Sequence, residues 1–317
     1  MNIRTNPDRL LFIAGPTASG KSALAVYLAE RFDGEVVSAD SMQIYQNMRI
    51  GTAAPTEAEK RGVPHHMLGI VAPTEPFSVE LYRNRALPII RDILARGKTA
   101  VVAGGTGLYF DSLLLNEAYA PVEPDHAYRS ELYALADREG NEAVYRLLAA
   151  SDPQTADKLH PNNLKRVVRA LEVLRLTGMS ITEHDRRSQM GAPAFYPLKI
   201  GLNIEPRELL YARINARVDR MLAQGLLDET AALLAAGVSE DATAMQAIGY
   251  KELVPVLRGE AGLDEAVEQI KQRSRNYAKR QLTWFRRDDQ IRWFAHTEEQ
   301  SFEKTAEEAA RYIQDKI

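Results

Sequence analysis

The chain has 317 residues, 45% hydrophobic and 26% charged, with a formal net charge of −3, the profile of a soluble globular protein with room for two lobes. It has no cysteine, which excludes disulfides, thiolate metal centres and zinc fingers. Residues 1–9 carry no apolar signal core and no apolar run approaches membrane-spanning length, so a cytoplasmic protein with no membrane partner is expected.

In chain order, residues 10–14 (Leu-Leu-Phe-Ile-Ala) read as a buried strand. Gly15-Pro16-Thr17-Ala18-Ser19-Gly20-Lys21-Ser22 follows, filling every position of the pattern G-x-x-x-x-G-K-[ST], and a helix-like stretch runs from Lys21 to about Arg31. Strand, loop and helix in that order are the context a phosphate-binding loop requires. In such a loop, backbone N–H groups and the helix dipole converge on anionic oxygens. Lys21 would reach an outer phosphate, and the Ser22 hydroxyl would sit on a magnesium ion. A chance glycine-rich turn is the alternative, and the filled pattern argues against it. A polyphosphate ligand is expected.

Glu35-Val36-Val37-Ser38-Ala39-Asp40 reads as a strand ending on a carboxylate, and residues 66–70 as a weaker strand. Residues 82–96 are helical in pattern with an interruption at Pro88, and Leu81, Leu87, Ile89 and Ile90 read as core. Thr99 to Ala103 is a buried strand, followed by Gly104-Gly105-Thr106-Gly107. Apolar strands separated by helices indicate a parallel sheet covered on both faces. The pattern changes near Pro121-Val122-Glu123-Pro124, and from there to about Gln189 only helices are expected. Their turns fall at Gly140, Asp152-Pro153, His160-Pro161 and Gly178, and Leu164, Val167, Val168, Leu171 and Leu174 form an apolar stripe. After Gly191-Ala192-Pro193, residues 198–204 read as a returning strand, residues 207–287 as mostly helical, and residues 291–294 as a late strand. The expected fold is α/β: a P-loop NTPase-like parallel sheet flanked by helices, its core formed by residues 1–121 and 197–317. Residues 122–196 form a helical insertion.

The small net charge hides one asymmetry. Residues 271–287 hold Lys271, Arg273, Arg275, Lys279, Arg280, Arg286 and Arg287 and no acid. A polyanion responds to such a local field rather than to the total charge. Arg273, Arg280 and Arg287 recur every seven residues, so they share a face if one helix spans the run. A solvated basic face is the alternative. The companions of a nucleotide hydrolase are absent: no N-K-x-D element occurs, and the strand at 99–103 ends in glycines where a hydrolytic ATPase would carry an acid. Asp40 is the nearest candidate carboxylate. The pair His65-His66 lacks a third ligand nearby and reads as structural.

Several blocks resemble, in order, those of the bacterial tRNA dimethylallyltransferases, also called tRNA isopentenyltransferases. They are residues 15–22, Ser-Ala-Asp-Ser-Met-Gln-Ile-Tyr at 38–45, Gly-Gly-Thr-Gly-Leu-Tyr at 104–109, and His160-Pro161-Asn162 with residues 165–173. Residues 213–219, 246–252 and 277–287 complete the series, which spans nearly the whole chain. Two positions depart from the family's usual residue: Ser22, a chemically equivalent hydroxyl where many members carry threonine, and Lys165 where glutamine is common.

The resemblance implies transfer of a dimethylallyl group from dimethylallyl diphosphate to the exocyclic amine of an adenine beside the tRNA anticodon, with Mg2+. The P-loop residues Gly15, Pro16, Thr17, Ala18, Ser19, Gly20, Lys21 and Ser22 would hold the diphosphate, with the metal on Ser22. Arg217 would join them, though on residue pattern alone it reads as an exposed helix charge. An adenine amine is a weak nucleophile, so a carboxylate at a strand's carboxyl end suits the general-base role. Asp40 is that carboxylate, metal ligation or a structural cap being its alternatives. Thr106 is implied beside the target base; a turn residue is its alternative. Implied tRNA contacts are Asp40, Ser41, Met42, Gln43, Thr106, Lys165, Arg166, Val167, Val168, Arg169, Arg273 and Arg280. They would clamp the anticodon stem-loop around a flipped base. A monomer is expected. A small-molecule or nucleoside kinase, a non-catalytic RNA-binding protein and a prenyltransferase of free adenine nucleotides are the competing functions.

Overall fold

The computed structural model describes residues 10–115, 124–188, 193–297 and 300–316. The strands are β1 (Leu11–Ala14), β2 (Gly34–Ser38), β3 (His65–His66), β4 (Thr99–Ala103), β5 (Leu198–Ile204) and β6 (Arg292–His296). They form one parallel sheet in the order β3-β2-β4-β1-β5-β6. Between β1 and β4 come α1 (Lys21–Arg31), α2 (Glu57–Lys60) and α3 (Val79–Ala95), and α4 (Gly107–Leu114) follows β4. Next come α5 (His126–Glu139), α6 (Asn141–Ser151), α7 (Pro153–Ala156), α8 (Leu164–Thr177) and α9 (Ile181–Ser188). After β5 come α10 (Arg207–Ala223), α11 (Leu226–Ala235), α12 (Tyr250–Leu257) and α13 (Leu263–Phe285), and α14 (Phe302–Lys316) follows β6. No helix among the described residues is long and apolar enough to cross a membrane.

Two units emerge: Met1–Leu113 with Phe195–Ile317, and Leu114–Ala194. In the first, β1 lies mid-sheet with all four residues buried. Leu11 and Ile13 share a core with Leu24 and Leu28 of α1 and with Ala306 and Ile313 of α14. Phe12 points to the other face, edge-on to Phe110 of α4 at 4.9 Å, and Phe110 meets Phe285 of α13 at 5.6 Å. A strand covered on both sides has no polar alternation, hence its unbroken apolar run.

Three local expectations are corrected. Helix α3 runs through Pro88 without a break. Pro88 and Asn84 are exposed, so the carbonyl that the proline leaves without a donor lies on the solvent-facing side of the helix. Leu81 is likewise exposed rather than core. The strand expected at 66–70 is only His65–His66, because Met67 (φ 63°) and Gly69 (φ 58°) turn left-handed and end the extended backbone. The expected unit boundary at 121/122 and the turn at Gly191-Ala192 lie outside the described residues.

The amino end of β2 carries a charge cluster. Glu35, almost fully buried, accepts from Arg96 at 2.5 and 2.9 Å, from Lys98 at 2.9 Å, and meets His66 Nε2 at 2.8 Å. These donors, Arg96 first, hold its carboxyl well below the usual carboxylate range. The histidine pair is structural here: the other ring, His65, bonds the Val63 carbonyl at 2.8 Å. A carboxyl depressed in this way stabilises the fold above its unfolded pKa, and that stability is lost as pH falls. Glu35→Gln is expected to cost about 2–3 kcal/mol and to flatten the acid limb of a melting-temperature profile, leaving catalysis near wild type.

The second unit is a helical bundle with Leu132, Val144, Leu148, Val167 and Leu171 in its core. Fully buried Glu172 accepts from the Asp125 amide at 2.8 Å, from Arg129 at 2.7 and 2.8 Å and from Arg169 at 2.5 Å.

Candidate active site

The loop after β1 is shaped by backbone constraints. Gly15 has φ 145°, and a Cβ there would lie 2.2 Å from the Leu202 carbonyl of β5, so no side chain fits. Gly20 (φ 96°) caps α1 without a side-chain hydrogen bond, and the first turn of α1 holds no acid. The amides opening the helix are therefore left for an external anion. Lys21 Nζ donates to the Pro16 carbonyl at 2.6 Å. Burial first, then the nearby Arg217 charge, lower its pKa to about 7, with Asp40 opposing. Arg217, from α10, reaches the Thr52 carbonyl at 3.5 Å. Burial lowers its pKa too, while Asp40 raises it.

Asp40 lies just past the carboxyl end of β2. Its Oδ1 accepts from the Met42 and Gln43 amides at 2.9 and 3.3 Å, a turn that carries the carboxylate into the cleft. The neighbouring wall is the turn after β4. Thr106 donates its amide to the Ala39 carbonyl at 3.1 Å, and its Oγ1 accepts from the Ser41 amide at 3.0 Å. These bonds need close approach: a Cβ at Gly104 would lie 2.1 Å from the Ala39 carbonyl oxygen. Thr17, Lys21, Ser22, Asp40, Gln43 and Arg217 thus line one small cleft at the sheet's carboxyl edge, where Asp40 is the only acid among the lining residues. A larger open groove of about 640 Å³ at the ends of β5 and β6 includes no P-loop residue.

Gln43 is committed internally, donating to the Thr52 and Ala53 carbonyls at 3.2 Å each and accepting from Ser38 at 3.1 Å. Val167 and Val168 differ from expectation: at 0% and 1% exposure they pack inside the bundle, so their side chains cannot meet RNA. Lys165 and Arg166 are exposed on the same helix, whereas Arg169 is paired to Glu172. Arg273 and Arg280 part company as well. Arg273 bonds buried Glu252 at 2.7 Å, while exposed Arg280 lies over the Tyr277 ring at 5.6 Å.

Sequence reasoning did not assign three residues to the site. Tyr277 and Gln281, within the block at 277–287, line the cleft from α13. Glu229 of α11 accepts from the amides of Arg49, Ile50 and Gly51 at 2.9–3.1 Å and from Tyr250 Oη at 2.6 Å. It thereby fixes the loop whose Thr52 carbonyl Arg217 touches. The block at 246–252 already contained Tyr250; Glu229 had no signal.

A family model described as IPP transferase matches residues 43–288, and one described as isopentenyl transferase matches residues 8–68. The tRNA dimethylallyltransferase of Caldanaerobacter subterraneus subsp. tengcongensis is 47% identical over 310 residues, 98% of each chain. The tRNA dimethylallyltransferase 2 of Geotalea uraniireducens is 50% identical over 292 residues, 92% of this chain and 93% of that protein. Among solved structures, the tRNA isopentenylpyrophosphate transferase of Bacillus halodurans is 42% identical with a TM-score of 0.72, covering 98% of this chain and 96% of that one. A eukaryotic dimethylallyltransferase acting on tRNA is 30% identical with a TM-score of 0.83, covering 97% and 79%.

Proposed function

The chain belongs to the IPP transferase family, and from that premise we propose how its cleft carries out prenyl transfer. It is a tRNA dimethylallyltransferase, with dimethylallyl diphosphate as donor and the N6 amine of the adenosine 3′ to the anticodon as acceptor. One observation carries the reading of the site: two cations, Lys21 and Arg217, share a cleft with a single carboxylate, Asp40. The allylic C–O bond breaks with negative charge growing on the diphosphate, and the P-loop amides, Lys21 and Arg217 stabilise that charge. The adenine nitrogen forms the new bond to the allylic carbon, and its proton passes to Asp40. Thr106, on the Asp40 wall, hydrogen-bonds the base.

The donor set fits magnesium. The Ser22 hydroxyl lines the cleft beside the P-loop lysine and offers a hard oxygen donor. A hard cation held by one hydroxyl, the substrate's phosphates and water suits that pattern. When bound, Mg2+ would neutralise charge on the departing diphosphate.

The test is incubation with dimethylallyl diphosphate, Mg2+ and unmodified tRNA, followed by nucleoside mass analysis. Prenylated adenosine is expected; phosphoryl transfer from ATP with no prenylation would select the kinase instead. For RNA binding, Arg280→Ala is expected to weaken tRNA affinity and lower the salt slope by about one. Arg273→Ala leaves the Glu252 carboxylate without its guanidinium and should instead lower stability by about 1–2 kcal/mol. Binding titrations at several salt concentrations, with parallel melting curves, separate the two. Equal salt slopes for Arg280→Ala and wild type would remove Arg280 from the interface.

A further inference from the structure

Gln281 lies in the last turns of α13, 5% exposed and facing the cleft. Each end of its amide serves a different wall. Oε1 accepts from the Thr17 amide of the P-loop at 2.8 Å, and Nε2 donates to the Gly105 carbonyl at 3.0 Å. Room for this bridge comes from a glycine, since a Cβ at Gly105 would lie 2.0 Å from Gln281 Nε2. One helical turn earlier, the Tyr277 hydroxyl interacts with the Thr106 and Gln281 side chains. A neutral amide in the basic second half of α13 adds no charge to the site. Its two directional bonds are what an apolar side chain of equal size would lack.

The two walls have different tasks in the proposed reaction. Thr17 belongs to the loop that holds the diphosphate. The turn through Gly105 and Thr106 is bonded to Ala39 and Ser41, the residues flanking Asp40. Displacement at the allylic carbon needs the attacking nitrogen and the departing oxygen held in line, and a misplacement near 1 Å costs about 100-fold in rate. We propose that Gln281 is a positioning residue that sets the spacing between the diphosphate loop and the Asp40–Thr106 wall. It acts through Thr17 and Gly105 and touches no reacting atom. The inference rests on the prenyl-transfer reading above.

Two variants test it. Gln281→Met keeps the bulk and loses both bonds. Gln281→Glu can replace both bonds while protonated, but once ionised it cannot donate and sets a negative charge against the Gly105 carbonyl. For Gln281→Met, kcat is expected to fall about 30- to 100-fold, with dissociation constants for inorganic pyrophosphate and an anticodon stem-loop within about threefold of wild type. For Gln281→Glu, kcat relative to wild type should decline as pH rises through the carboxyl's titration. A Gln281→Met enzyme with wild-type kcat, or one whose whole loss lies in substrate affinity, overturns the proposal. So does a Gln281→Glu ratio that stays at the wild-type value across the pH range, a result that stands even if the methionine variant does not fold. Wild-type protein that leaves tRNA unprenylated removes the underlying reading and this inference with it, whereas active wild type matched by active variants removes the inference alone.

Discussion

Asp40→Asn is expected to cut turnover by about 10²- to 10⁴-fold while leaving tRNA affinity within about threefold. The substitution isolates proton transfer, because asparagine keeps the Oδ1 that accepts from the Met42 and Gln43 amides. The turn after β2 therefore survives, as do the Thr106 bonds beside it. What is lost is the capacity to take a proton from the attacking amine. Single-turnover prenyl transfer, read beside direct tRNA binding, checks the split. A variant that transfers at the wild-type rate would mean that Asp40 is not the base.

Lys21→Met is expected to lower kcat/KM for the prenyl diphosphate on the order of 10³-fold, since the charge it removes faces the departing group. A second consequence follows from its titration. In the free site burial and Arg217 hold Lys21 near pKa 7, and a bound diphosphate favours the charged form. Binding above pH 7 therefore takes up a proton at Lys21, and this contribution to affinity weakens as pH rises. Calorimetry of inorganic pyrophosphate in two buffers of different ionisation enthalpy, near pH 8, should show greater uptake in wild type than in Lys21→Met. Equal uptake would rule out Lys21 as the group that recharges. The stability term has the opposite sense. Between about pH 7 and 10.5 the unfolded chain binds the extra proton, so this group's contribution to stability rises with pH. The ligand-free methionine variant should accordingly melt above wild type at neutral pH.

What could be read in the sequence was local or strictly periodic. The phosphate loop, with a strand before it and the helix Lys21–Arg31 after it, is a contiguous pattern whose geometry its own residues dictate. Strand β4 was legible for the same reason. Pro88 misled because propensity marks a cost to a helix, and a solvent-facing position keeps that cost low enough for tertiary packing to override. The run at 271–287 shows the limit of charge counting. It holds no acid, yet Asp219 and Glu252 arrive from other elements to pair Lys271 and Arg273. Periodicity identified which residues of α13 share a face, but not which part of that face the sheet would cover, so it did not bring Tyr277 and Gln281 to the cleft. Glu229 was illegible altogether: its amide partners lie 178 to 180 residues away.

The position of β1 has a consequence for synthesis on the ribosome. Its hydrogen-bonding neighbours are β4, near residue 100, and β5, near residue 200, and the loop it carries is braced from residue 281. A nascent chain that has exposed β4 but not yet β5 displays the complete phosphate-loop pattern with one edge of β1 unpaired. Such an intermediate has a ready template for wrong pairing and no working cleft. Maturation of the loop must therefore await translation of most of the message, however early its codons are read.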